Sequence, residues 1–191
     1  MVGLGTESKS LGGIGKDAMG MSAWVSIQYA THLPCLMEAL ERTDGDVLEL
    51  GNGVFSTPYL HWYCHRKKRY LLTIESDPKW SWFCKQYYDD PQHQHKFCEN
   101  WDSAKWAISK PWDVALVDHS PSARRVKEIT LLKDLVKYIV VHDAEPEKDR
   151  EYHYSTIYPL FKYKYLFTEV KHNVVVLSNL VDLNKFSIYG R

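Results

Sequence analysis

Short apolar runs recur along the chain as DVLEL (46–50), RYLLTIE (69–75), HKFCE (95–99), WDVALVD (112–118) and YIVVHD (138–143). Between them the spacing of apolar positions lengthens to three and four. In ARRVKEITLLKDLVK (123–137), for example, Val126, Ile129, Leu132 and Val136 fall along one stripe, which predicts a helix. Near-continuous apolar strands alternating with helices imply a parallel sheet covered on both faces. Ahead of the first strand, AWVSIQYATHLPCLMEALE (23–41) has helical spacing interrupted at Pro34, where a kink or a break is expected. After a helical piece over 151–160, the β-rich runs KYKYLFTEV and NVVVLSNL are separated only by Lys171 and His172. A parallel crossover needs roughly a dozen residues, so the last strand must be antiparallel. The expected fold is α/β: a three-layer sandwich around a seven-stranded, mostly parallel sheet with an antiparallel last strand.

Residues 1–20 are rich in glycine and serine and read as a flexible N-terminal arm, or as a lid over a bound ligand; residues 21–191 read as one domain. The 24 basic and 24 acidic side chains cancel, so no net charge steers the chain toward nucleic acid or a membrane. The run His65, Arg66, Lys67, Lys68, Arg69 reads as a solvated helix end entering a strand. Cys35, Cys64, Cys84 and Cys98 show no CxxC spacing and read as reduced thiols. With no span-length apolar run and no signal-peptide pattern, a cytoplasmic protein is expected. Oligomeric state stays open, a homodimer included.

In an open parallel sheet, ligands bind past the carboxyl ends of the strands, which directs attention to the residues after each run. The first run ends in Glu49-Leu50-Gly51-Asn52-Gly53-Val54-Phe55-Ser56-Thr57, and the second ends in Glu75. Taken singly, Gly51 and Gly53 also serve a plain strand-to-helix turn, and Glu75 a surface carboxylate. Together they favour a nucleoside-bearing ligand, with Glu75 placed to accept from ribose hydroxyls. Ser56 in place of a third glycine, and Glu49 ahead of the turn, argue against a dinucleotide pyrophosphate. S-adenosylmethionine, which carries an ammonium and a sulfonium but no phosphate, suits a carboxylate there.

VLELGNGVFST resembles the first motif of class I S-adenosylmethionine-dependent methyltransferases, and TIESDP resembles their second; the pattern runs from about Asp46 to Leu180. The resemblance implies a Rossmann-like fold in which Glu49, Gly51 and Gly53 surround the methionine part of the cofactor, with Asn52, where a small residue is common, and Ser56 in the same cofactor-binding turn. It places Glu75 at the ribose with Ser76 and Asp77 beside it. Asn100, Trp101 and Asp102 match the position that contacts adenine, Asp102 for the exocyclic amine and Trp101 for stacking.

Two acid and imidazole clusters follow the fourth and fifth strands: Asp118, His119 and Ser120, then His142, Asp143 and Glu145. Asp118, His119, His142 and Asp143 form the candidate catalytic group, as a general base or as metal ligands. This part is similar to metal-dependent small-molecule O-methyltransferases, which implies magnesium held by Asp118 and Asp143. His142 stands where an acid is expected, leaving softer ions or no metal open. The alternative for the same residues is that Asp118 contacts the cofactor and Asp143 caps a helix. Thr31 and His32 could reach the site, though a packed histidine is the commoner outcome. Trp80, Trp82, Tyr87 and Tyr88 are expected on one helix. The expected function is methyl transfer to a small hydroxylated acceptor. The rivals are cleavage or aminopropyl transfer of the same cofactor, a non-catalytic binding module, and a nicotinamide-dependent oxidoreductase.

Overall fold

A computed structural model describes residues 27–87 and 90–189; the expected arm of residues 1–20, and Tyr88, lie outside the described residues. Seven strands form one sheet: β1 (Val47–Leu50), β2 (Leu71–Glu75), β3 (His93–Phe97), β4 (Trp112–Val117), β5 (Val136–Val141), β6 (Tyr163–Phe167) and β7 (Val174–Ser178). Their order is β3-β2-β1-β4-β5-β7-β6. β1 to β5 pair in parallel, while β7 runs antiparallel to both β5 and β6, as the two-residue gap required.

Every position of β1, β2 and β7 is buried, because elements pack on both faces of the sheet. The pleat sends alternate residues to opposite sides. Leu48, Leu50, Leu72 and Ile74 join Ile129 and Leu132 of α5 (Arg125–Leu132) in one core layer. Val47 and Leu71 join Leu36 of α1 (Leu33–Glu41) and Leu60 of α2 (Ser56–Lys67) in the other. Shorter helices α3 (Pro78–Cys84), α4 (Lys105–Ile108) and α6 (Asp149–Tyr152) complete the crossovers. Strand order reverses between β1 and β4, so a crevice opens above their carboxyl ends.

Several boundaries differ from the sequence pattern, each for a tertiary reason. The helix expected over 123–137 stops at Leu132, and Val136 opens β5 instead of extending the helical stripe. Pairing with β4 takes that segment: Trp112 N–H donates to Leu135 O, and Trp112 lies opposite Val136. β3 starts at His93, ahead of the apolar run, in register with Leu71. Pro34 sits in the first turn of α1, after a separate 3-10 turn at Ile27–Ala30, so the chain breaks there. The segment after β5 is α6 followed by 3-10 turns at Tyr154–Thr156 and Tyr158–Leu160 rather than one helix. Trp80 and Trp82 lie on α3, which ends before Tyr87.

The basic run 65–69 is not solvated throughout. Lys68 adopts a left-handed conformation at φ 55° and ends α2, which turns Arg69 inward to 3% exposure. Its guanidinium donates to Leu40 O, Thr43 O and Gly45 O, collecting the carbonyls between α1 and β1. All four cysteines are buried and unbridged. Among the described residues no helix is long and apolar enough to cross a membrane. Arg69→Leu should cost about 2–4 kcal/mol, because it strands buried carbonyls. Urea unfolding checks this, and a loss below about 0.5 kcal/mol would show that the carbonyls find other donors.

Candidate functional site

The turn between β1 and α2 is held from below. Gly51 has φ +86°, and a Cβ there would stand 2.6 Å from Asp118 O and from His119 Cα and N, so the β1 and β4 ends touch only because this residue is glycine. Glu49 is wholly buried beneath the turn, where Thr57 Oγ1 (3.0 Å) and Thr73 Oγ1 (2.7 Å) donate to its carboxylate. Thr57 Oγ1 in turn accepts from Gly53 N–H at 3.0 Å, so the acid fixes the turn through one hydroxyl. Burial pushes the Glu49 carboxyl up to about 7, against the pull of the Ser56, Thr73 and Thr57 hydroxyls. Glu49 and Ser56 (3% exposed) therefore form the underside of the turn. Glu49 faces the α2 layer because it shares the pleat side of Val47.

Glu75 joins the β1 and β2 ends. Its Oε2 accepts from Asn52 N–H at 3.0 Å, and its Oε1 accepts from Ser76 and Asp77 N–H at 2.6 and 2.7 Å. A carboxylate has about four acceptor positions, so Oε2 retains room for another donor. Burial raises its pKa, countered by the backbone N–H groups of Asp77, Asn52 and Ser76. Asn52 Nδ2 donates to Trp80 O, while its buried Oδ1 has no partner among the described residues.

Ser120 O gathers two further strand ends, accepting from Ser76 Oγ and from Trp101 Nε1. Trp101 is 4% exposed and lies 3.9 Å, ring to ring, from His119. The Asp102 carboxylate instead turns outward to Arg124 (2.8 Å) and Lys127 (2.7 Å), so the structure does not bring it to the crevice beside Trp101. Those two cations outweigh the small desolvation and hold it well below the usual carboxylate range.

The ends of β4 and β5 converge on Arg125, which lies almost wholly inside the protein. Its Nη2 meets Asp118 Oδ1 at 2.8 Å, its Nε donates to His119 O, and its Nη1 lies 3.4 Å from both His142 O and Asp143 Oδ2. Asp118 Oδ2 is 3.2 Å from His142 Nδ1, and His142 Nε2 is 2.9 Å from Thr31 Oγ1. Burial would raise the Asp118 carboxyl, but Arg125 and His142 hold it below its ordinary value. Burial would lower His142, but Asp118 and then Asp143 hold it above. His32 faces the pair at the start of α1, with its ring edge-on to His142 at 5.1 Å. It is 2% exposed and neither ring nitrogen has a hydrogen-bond partner among the described residues. Burial drives its pKa down to about 4, so it is neutral.

Of the expected catalytic group, the structure joins Asp118 and His142, keeps Asp143 beside them with Oδ2 3.9 Å from His142 Nδ1, and sets His119 apart. His119 is 1% exposed, wedged between Trp101 and Glu128, because consecutive residues leaving a strand point to opposite faces. Asp143, at φ 59°, gives Oδ1 to Lys148 (2.9 Å) and Oδ2 to Tyr152 (2.9 Å), which makes it a structural brace. Magnesium between Asp118 and Asp143 does not fit these residues. The Lys148 ammonium already sits among Asp143, Glu145 and His172, and the donors near Asp118 are the imidazoles of His32 and His142, not oxygens. Thr31, expected to be within reach of the site, is there; Arg125 and Glu128 also carry this arrangement and were not legible as such. The signal for Arg125 was the need of two half-buried carboxylates for one cation within the following helix.

No protein-family model and no curated protein matches the chain. Solved structures do match it in shape. Cofactor-bound Rv0187 from MTB aligns with TM-score 0.61 at 16% identity over 81% of this chain and 81% of its own. The O-methyltransferase from Bacillus cereus in complex with SAH aligns with TM-score 0.57 at 11% identity over 81% and 82%. A spermidine synthase in complex with the transition-state analogue AdoDATO aligns with TM-score 0.59 at 16% identity over 84% of this chain. The chain spans 62% of the length of that synthase. The chain has the class I methyltransferase fold: a Rossmann-like sheet with the antiparallel seventh strand inserted beside the fifth.

The two histidines at the crevice give stability opposite pH slopes. His142 titrates higher when folded than its unfolded value of 6.5, so its pairing adds stability that is complete below pH 6.5 and is lost as pH rises through the folded value. His32 titrates at about 4 when folded, so its contribution is complete above pH 6.5 and is lost as pH falls toward 4, a slope shared by His93 and His95. His32→Leu should flatten part of the acid-side fall and His142→Gln the alkaline-side fall in urea midpoints followed against pH. Unchanged slopes would place both rings in water.

Proposed function

We propose that the chain is an S-adenosylmethionine-dependent methyltransferase that acts on a hydroxyl of a small acceptor. The observation that carries this reading is the His142–Asp118 pair at the ends of β5 and β4, beside the glycine turn at the end of β1. The residues that would hold the cofactor are those of the turn at Gly51–Gly53, with Glu75 Oε2 keeping an acceptor position for ribose hydroxyls and the unpartnered Asn52 Oδ1 for donors on the methionine part.

Methyl transfer places few demands on the protein beyond alignment and removal of one proton. S-adenosylmethionine bound there would supply an electrophilic methyl group on a sulfonium, which becomes a neutral thioether once the methyl has gone to the acceptor oxygen. The acceptor proton passes to His142. Asp118 holds Nδ1, so Nε2, now on the Thr31 hydroxyl, is the nitrogen that meets the acceptor. Arg125 keeps Asp118 ionised, and Asp118 steadies the imidazolium that forms. Neutral His32 offers one donor and one acceptor to the rest of the acceptor molecule. The likeness to a spermidine synthase leaves aminopropyl transfer open as a second reading.

Calorimetric titration with S-adenosylmethionine and S-adenosylhomocysteine is the first test, and absence of saturable binding by either overturns the proposal. With an acceptor in hand, His142→Gln should lower kcat about a hundredfold to ten-thousandfold while cofactor affinity holds. Wild-type kcat should rise with pH through the raised His142 pKa, because only the neutral ring accepts the proton. Glu75→Ala should weaken cofactor binding about tenfold or more, the expected cost of a lost buried acceptor. Release of methylthioadenosine in place of S-adenosylhomocysteine would decide for aminopropyl transfer.

A further inference from the structure

A second cluster of imidazoles lies at the β3 edge of the sheet, apart from the crevice. His61 and His65 are one turn apart on α2, so they share a face, with ring centroids 4.6 Å apart. Asp90, in the segment leading into β3, places Oδ2 2.5 Å from His65 Nε2. One donor atom from each of the three lies within 4.8 Å of the others. His65 Nε2 and Asp90 Oδ2 thus meet directly and face into the cluster together.

A chain of hydrogen bonds backs this cluster from inside the protein. Thr73 Oγ1 donates to the Glu49 carboxyl at 2.7 Å and lies 2.9 Å from His93 Nε2. His93 is wholly buried, and its Nδ1 lies 3.1 Å from His61 Nδ1, so the two rings share one proton and His61 is held in place beside His65. A buried partner that orients an imidazole from behind is the usual setting of a metal-binding histidine.

We propose that His61, His65 and Asp90 bind one divalent transition-metal ion, of the class that prefers imidazole with a carboxylate, and that His93 is the positioning residue behind it. Two imidazoles and one carboxylate suit zinc, at about 2.0–2.2 Å from each ligand, with water in the fourth position. The ion ties α2 to the β3 edge. Through His93, Thr73 and Glu49 it also steadies the turn at Gly53. Residues 1–26 contain neither His nor Cys and offer no competing nitrogen or thiolate site.

The test is calorimetric titration of the full chain, stripped with a chelator, with zinc chloride alone, followed by thermal unfolding with and without the ion. One equivalent should bind and raise the melting midpoint by several degrees, since the ion binds only the folded chain. His65→Gln and Asp90→Asn lie at half-buried positions and should fold; each should weaken binding at least tenfold, and the double variant should abolish it. His32→Leu, which removes the imidazole cluster at the crevice, should leave zinc binding unchanged. Cobalt in place of zinc should give the visible absorption of a four-coordinate site in wild type and not in the double variant. No saturable binding, equal binding by the double variant, or loss confined to His32→Leu would each overturn the assignment.

Discussion

Glu49 is an acceptor with nowhere to turn for water, and the protein is built around supplying it with donors. The carboxylate is wholly buried, without a cation against it, and hydroxyls from α2 and β2 converge on it. An isolated carboxylate so placed would cost several kcal/mol, so those hydroxyls are obligatory. Each has one proton, and giving it to Glu49 leaves each free only to accept. Thr57 therefore receives Gly53 N–H and shapes the turn above, while Thr73 receives His93 and orders the polar chain toward the sheet edge. One buried carboxyl thereby sets the conformation of the glycine turn and links it to the histidines at the sheet edge.

A second buried charge does comparable work at the next pair of strands. Arg125 sits between Asp118 and Asp143 and also takes the carbonyls that end β4 and β5, so the two loops are held as one piece. The consequence for chemistry is a division of labour between two similar carboxylates. Asp143 is saturated by Lys148, Tyr152 and Arg125, whereas Asp118 keeps one oxygen for His142. Two imidazoles a few ångströms apart then differ in basicity for a stated cause: Asp118 hydrogen-bonds His142 and outweighs its burial, whereas for His32 burial outweighs the pull of the same carboxylate. A base and a neutral polar group side by side suit an acceptor that must both be held and lose a proton.

Much of the fold was legible in the pattern of apolar residues. Five parallel strands, the break at Pro34, the turn at Gly51 and the reversed last strand follow from period, from proline chemistry and from the shortness of the Lys171–His172 gap. The errors fall where sheet pairing competes with helical spacing, as at Val136, or where a charged side chain finds buried carbonyls, as at Arg69. Asp118 and His142 were identifiable because each follows a strand at its carboxyl end, where polar residues have little structural reason to gather.

The sequence by itself determined which residues could be polar at the carboxyl ends of the strands, because burial of everything between them leaves apolar periods that can be read directly. Only the tertiary structure decided what those polar residues face. Glu49 and Ser56 went under the turn, His119 went into the core, Asp102 went to the surface, and His32 came into the site from a helix far away in the chain. The physical reason is that a side chain's direction on leaving a strand depends on pleat and register, and its protonation depends on which partner it meets there. Neither is a local property of the chain.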